Sequence, residues 1–146
     1  MAVTAQWYGK AFANILGGET AAETRNCDWL SDTIKIMLTT SAYVPNKDTH
    51  EFHADITNEV VGAGYTAGGA TLASKTLVYD AANDRVTLDA ADPTWANPLT
   101  FRYAVIYDDT PALSANKVLL GYIDFITDQL ALTVQFDPAG IFRIAV

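Results

Sequence analysis

Residues 65–125 read as one short apolar-alternating run after another, separated by Gly, Asn, Asp and Pro turns, and that pattern leaves room for little but a β scaffold. Gly62-Ala-Gly-Tyr-Thr-Ala-Gly-Gly69 opens the stretch and Asp80-Ala-Ala-Asn-Asp84 interrupts it. Arg102-Tyr-Ala-Val-Ile-Tyr-Asp-Asp109 and then Leu120-Gly-Tyr-Ile-Asp-Phe125 close it. Within it Val86 and Leu88 alternate with Arg85, Thr87 and Asp89. Phe101, Tyr103, Val105 and Tyr107 alternate with Arg102 and Ala104, which places those four on one strand face and predicts that Tyr103 and Tyr107 are core.

The same period appears outside the stretch. Ile34, Ile36 and Leu38 alternate with Lys35, Met37 and Thr39, predicting a strand with one buried face, started by Trp29-Leu30. Residues 71–79 and 85–90 form strands joined by the loop 80–84, and residues 118–125, 130–136 and 141–146 supply three more, with Asp137-Pro-Ala-Gly140 as a tight turn between the last two. Pro93 and Pro98 bracket Trp95, which predicts an ordered loop or edge crossing rather than a central strand.

Helical signal is confined to the first third. Tyr8, Phe12, Ile15 and Leu16 share one face of a short helix, with Gly17-Gly18 as its stop. A second short helix is expected at about residues 49–55, opened by the capping-box-like pair Asp48 and Glu51. Residues 58–69, with four glycines, read as a strand fragment followed by loop. The expected fold is mainly β: a single-domain antiparallel β-sandwich or barrel-like fold over residues 1–146, of about seven strands with one or two short helices. Residues 1–30 are a helical or extended segment packed on that domain or on a neighbour.

Composition bounds the function. A chain of 146 residues, half of them apolar, is one domain able to bury roughly 70% of its unfolded surface. Nine basic against seventeen acidic residues give a net charge of -8, and no cluster of Lys and Arg appears, so nucleic acid is not an expected partner. Cys27, the only cysteine, permits no intramolecular disulfide and has no His or Lys beside it to activate the thiol. The segment Met1-Ala-Val-Thr-Ala-Gln-Trp-Tyr8 lacks the charged and apolar regions of a secretory signal. No apolar run approaches the ~20 residues of a membrane span, so no membrane partner is expected.

His50-Glu51-Phe52-His53, with Asp55 beyond it, is the one stretch that resembles a metal or catalytic motif. A zinc-protease helix stacks two imidazoles at i and i+4, whereas here they are at i and i+3 with no evident third ligand, and a capped, solvated short helix is the simpler reading. Asp80, Asp84, Asp89, Asp92, Asp108 and Asp109 lack the alternate spacing of a calcium loop and read as turn chemistry. Gly62, Gly64, Gly68 and Gly69 precede neither a Lys-Ser/Thr pair nor a helix and read as loop flexibility. Trp7, Trp95 and the seven tyrosines supply rings that stack on sugars in a glycan-binding module, although packing is the commoner use. No residue is assigned a catalytic, cofactor-binding or metal role.

Several segments together resemble a group of small tailed-bacteriophage virion structural proteins. These are Trp7-Tyr-Gly-Lys-Ala11, Ile34-Lys-Ile-Met-Leu-Thr-Thr-Ser-Ala-Tyr-Val-Pro45 with Asp48-Thr-His50, and Gly64-Tyr-Thr-Ala-Gly-Gly-Ala-Thr-Leu-Ala73. The later Arg102-Tyr-Ala-Val-Ile-Tyr-Asp108, Leu120-Gly-Tyr-Ile-Asp-Phe125 and Phe136-Asp-Pro-Ala-Gly-Ile-Phe142 fit the same group. The resemblance implies a non-enzymatic virion component, made in the host cytoplasm. The acidic charge suits a capsid decoration (cement) protein that binds the major capsid protein on the outer head surface as a homo-oligomer, such as a trimer. The alternatives are a neck, tail or baseplate component and a glycan-binding module of a host-recognition fibre.

Overall fold

The computed structural model describes residues 2–17 and 26–146; Gly18, expected with Gly17 to stop the first helix, and the rest of residues 18–25 lie outside the described residues. The elements are β1 (Gln6–Trp7), α1 (Ala11–Leu16), β2 (Ile34–Thr39), a 3-10 turn (His53–Asp55), β3 (Ala70–Thr71), β4 (Thr76–Asp80), β5 (Arg85–Asp89), β6 (Thr94–Asp108), β7 (Leu119–Thr133) and β8 (Phe142–Ala145). They form two antiparallel sheets, one of five strands in the order β1-β7-β6-β2-β3 and one of three in the order β4-β5-β8. The mainly β, sandwich-like architecture expected from the alternating runs is the one observed.

The strand boundaries moved for identifiable reasons. The expected strand 71–79 is two strands in different sheets, with Ser74 at a φ of 52° between them. The separate strands expected at 118–125 and 130–136 are one continuous β7. Trp95 and Pro98 lie inside β6 and not in a loop. Proline is tolerated there because β6 upstream of Tyr103 pairs with β7 alone, and that ladder breaks register between Thr94 and Leu99. The Asp80 to Arg85 hairpin and the Asp137 to Gly140 turn stand as expected, the latter closed by the Gly140 N–H on the Asp137 carbonyl at 2.8 Å.

The main core fills the space between the sheets. Ile34, Ile36, Leu38, Ala104, Ile106, Leu120 and Ile123 from the large sheet belong to one cluster with Leu88 of β5 and Phe142 of β8. Phe142, fully buried, stacks on Trp7 at 4.1 Å between ring centroids and meets Trp29 edge-on at 6.1 Å. Burying such a ring contributes about 1.5–3 kcal/mol.

A second core lies on the other face of the large sheet, where Met37, Tyr103, Val105, Tyr107 and Leu119 pack with Tyr8, Ala11 and Tyr43. Strand β2 is therefore buried on both faces, not on one. Alternation cannot reveal the cover, which is the segment of Tyr8 and Ala11 together with the connection after β2. That connection is held down by the Phe52–Val118 bridge and by hydrogen bonds from the His53 N–H to the Lys117 carbonyl and the Leu119 N–H to the Glu51 carbonyl.

Phe101 belongs to the main core, whereas Tyr103, Val105 and Tyr107 belong to the second, so the four do not share one face. The cause is an irregularity: Phe101 pairs with Gln129 but Tyr103 with Asp124, so β7 advances five residues while β6 advances two. The first helix also turns differently from expectation. Ala11 and Asn14 are its buried residues and Leu16 is 80% exposed. At its N-terminal side, β1 pairs Gln6 with Tyr122 and Trp7 with Gly121, and the Ala5 N–H bonds the Ile141 carbonyl, so these residues pack on their own chain.

Candidate functional site

The four residues of the histidine-rich segment part company in the structure. His50 Nδ1 accepts the Asn46 backbone N–H at 3.3 Å, which makes it the unprotonated nitrogen, so the Tyr43 hydroxyl 2.9 Å away donates to it. Tyr8 in turn donates to Tyr43 at 2.9 Å. Burial raises the Tyr8 phenol far above its ordinary value and pushes Tyr43 up to about 12, so both remain protonated donors. Glu51 pairs with Lys10 at 2.8 Å. Asp55 accepts the backbone N–H groups of Glu51 and Phe52 at 2.8 and 2.9 Å; burial alone would raise its carboxyl, but these donors bring it below the ordinary value. The expected helix at 49–55 is thus a 3-10 turn braced by Asp55, and the cap upstream is Asn46, whose Oδ1 accepts the N–H groups of Asp48 and Thr49.

His53 points to a different network. Its ring lies 4.8 Å from that of Tyr107, and burial, then the Lys117 ammonium, lower its pKa. Asp109 bridges Lys35 at 2.8 Å and Lys117 at 2.5 Å. Burial opposes ionisation of Asp109, yet the two lysines hold it below the usual carboxylate range. Asp109 is a cross-strand hub and not a turn residue, contrary to expectation; Asp89 ends β5, and Asp92 reaches across to the Phe136 N–H at 2.8 Å. Turn chemistry does describe Asp80 and Asp108, which accept the N–H groups of Ala82 and Thr110. Of the four glycines, Gly69 is a packing requirement: with φ at +83°, a Cβ on it would lie 2.0 Å from the Ile36 carbonyl oxygen.

Cys27, Asp32 and Asp108 form a group whose ligand-type atoms lie within 4.8 Å of one another. Burial, then Asp108 and Asp32, raise the Cys27 thiol, and burial raises Asp108. Burial thus favours the proton over charge at Cys27 and Asp108, with Lys75 bonded to the Asp32 carbonyl beside them. Tyr103 and Tyr107 are core as expected, and with Trp95 each is 7% exposed or less, so these three rings pack inside the molecule and offer no face for a sugar.

A concave site lies where β7 bulges. The extra residues are braced by Asp124, whose Oδ1 accepts the Ile126 N–H at 2.8 Å and the Arg102 guanidinium at 2.8 Å. Ile126 has a φ of 67°, a left-handed conformation that costs a β-branched residue about 1–3 kcal/mol. Beside the bulge is a half-open pocket of about 240 Å³ lined by Asp92, Phe101, Phe125, Gln129, Thr133 and Gln135, with Ala131. Phe101 and Phe125 meet edge-on at 5.2 Å and are buried, forming its floor. None of its polar members was singled out from the sequence except Asp92, because residues 40 positions apart meet there only through the β6–β7 pairing.

A second feature concerns surfaces. Strand β4, an edge of the small sheet, exposes Leu77, Val78 and Tyr79 by 47, 56 and 57%, and the bulged half of β7 exposes Ile126, Leu130 and Leu132. Among the described residues, no helix is long and apolar enough to cross a membrane. Compared with protein-family models, curated proteins and solved structures, the chain matches none.

Proposed function

We propose that this chain is a non-enzymatic structural protein of a bacteriophage particle, and specifically a decoration protein that binds the major capsid protein on the outer head surface. The family reading rests on the sequence resemblance. The structural observation that supports an assembly role is the β4 edge. Among the described residues Thr76-Leu-Val-Tyr-Asp80 pairs with a strand on one side only, its other side met by the Trp29 indole N–H on the Thr76 carbonyl at 2.9 Å, and it carries apolar side chains on both faces with no Lys, Pro or Gly to blunt it. Soluble monomers protect such edges, and an open one is a template for pairing with another chain. On a molecule of net charge -8, that edge is a place where self-repulsion gives way to a specific contact. Pairing of copies into a closed oligomer such as a trimer, each with a modest capsid contact, gives a shell its stability through avidity.

Quantitative mass spectrometry of purified particles tests this against the major capsid protein. Hundreds of copies per particle support decoration. Six or twelve copies indicate a neck, tail or baseplate ring instead, and absence from particles removes the whole reading.

A further inference from the structure

We propose that the pocket beside the β7 bulge binds a single neutral sugar ring. This goes beyond the particle reading and does not depend on it. The chemistry of the lining selects the ligand class. Asp92 uses Oδ1 to hold the Phe136 N–H, which leaves its second oxygen without a partner among the described residues. Gln129 spends its Nε2 on the Thr127 carbonyl and hydroxyl, at 2.9 and 3.3 Å, and keeps its Oε1 as an acceptor. The Gln135 side-chain amide makes no hydrogen bond among the described residues, and the Thr133 hydroxyl shares one contact, with Thr94 at 3.0 Å.

The pocket thus offers a carboxylate oxygen, an amide oxygen, a whole amide and a hydroxyl around the apolar floor of Phe101, Phe125 and Ala131. Hydroxyl groups both donate and accept, so vicinal hydroxyls match this mixture, while the C–H groups of a pyranose suit the apolar surface that Ala131 and Phe125 leave open over the buried Phe101. Anions are disfavoured, because the lining holds a carboxylate and no cation. A cation would meet one charge among neutral groups. At about 240 Å³ the space falls below the roughly 300–1,000 Å³ of drug-sized sites and suits one ring.

The bulge supplies the second observation. A β-branched residue at positive φ persists only under constraint, and strand bulges of this kind re-aim side chains beside binding sites. Asp124 and Arg102 fix the bulge, and its chain carries Phe125 inward and Gln129 to the rim.

The test is an amide-resolved NMR titration of the full chain with methyl glycosides of glucose, galactose, mannose, N-acetylglucosamine and rhamnose, with methylammonium and inorganic phosphate as comparisons. Saturable shifts confined to residues 92, 101, 125 and 129–135 are expected for at least one glycoside. Asp92→Asn keeps the oxygen that holds Phe136, and Gln135→Ala alters an exposed side chain; each is expected to weaken binding about tenfold with the remaining spectrum unchanged. Should Asp92→Asn disturb the fold, Gln135→Ala alone decides. The inference is overturned if no glycoside gives saturable shifts up to about 100 mM, if shifts fall elsewhere, if methylammonium or phosphate alone binds, or if Gln135→Ala binds as tightly as the parent.

Discussion

Replacing Gly121 by alanine places one methyl group at a tight point of the main core. Gly121 sits in β7 opposite Trp7 of β1, and an added Cβ would lie 2.3 Å from Phe142 Cε1 and 2.5 Å from the Gln6 carbonyl oxygen. Neither neighbour yields cheaply. The Phe142 ring is fully buried against Trp7 and Trp29, and the Gln6 oxygen is backbone in the two-residue β1 pairing. Overpacking of this kind costs about 1–3 kcal/mol, and loosening the β1 hydrogen bonds adds ~0.5–1.5 kcal/mol each. A loss of about 3 kcal/mol is expected, a large part of the roughly 5–15 kcal/mol that holds a domain together, with Tm lowered by about 6–12 °C. Guanidinium and thermal unfolding followed by circular dichroism measure it. The double variant G121A/F142L removes the ring from the collision and is expected to lose less than the sum of the single changes, by about 1 kcal/mol or more. A Gly121→Ala protein within about 0.5 kcal/mol of the parent, or strict additivity in the double variant, would refute this packing.

Further perturbations probe the networks and the edge. Tyr43→Phe deletes the hydroxyl that links Tyr8 to His50 and strands a buried phenol, so a loss of about 1–3 kcal/mol in urea unfolding is expected, smaller in a Tyr8→Phe background. Because His53 has a folded pKa below its ordinary 6.5, the unfolded chain binds the extra proton first. Its contribution therefore makes stability fall as pH drops below about 6.5 and level off below the folded pKa, and His53→Gln should remove that component from unfolding midpoints measured between about pH 8 and pH 5. Val78→Lys puts a charge on the β4 edge. Monomer stability should change by less than about 0.5 kcal/mol while light scattering shows oligomer and head binding lost; retention of both would exclude that edge as the contact.

Much of the scaffold was legible because period and turn chemistry are local. The Asp80–Asp84 loop and the Asp137–Gly140 turn close through contacts only a few residues apart, and β5 shows its alternation plainly. What escaped is what depends on partners distant in sequence. Met37 and Thr39 look solvent-facing until the segment after β2 is laid over them, and the phase slip between Phe101 and Tyr103 is caused by extra residues in β7, not by anything in β6. Ser74 divides an apparently continuous run because its two halves join different sheets. The pocket was less legible still. Gln129, Thr133 and Gln135 are ordinary polar residues with no motif, and they acquire meaning only when the bulge brings them around Phe125 with Asp92.

The pairing of β1 with β7 sets an order of events during synthesis. The ribosome releases Gln6 and Trp7 long before Gly121 and Tyr122, and at about 5–20 residues per second the interval is roughly 6–23 s. Throughout it the first strand has no partner on its own chain, and the Ile141 carbonyl that receives the Ala5 N–H arrives later still. Closure of the sandwich is consequently the last step available to each nascent molecule.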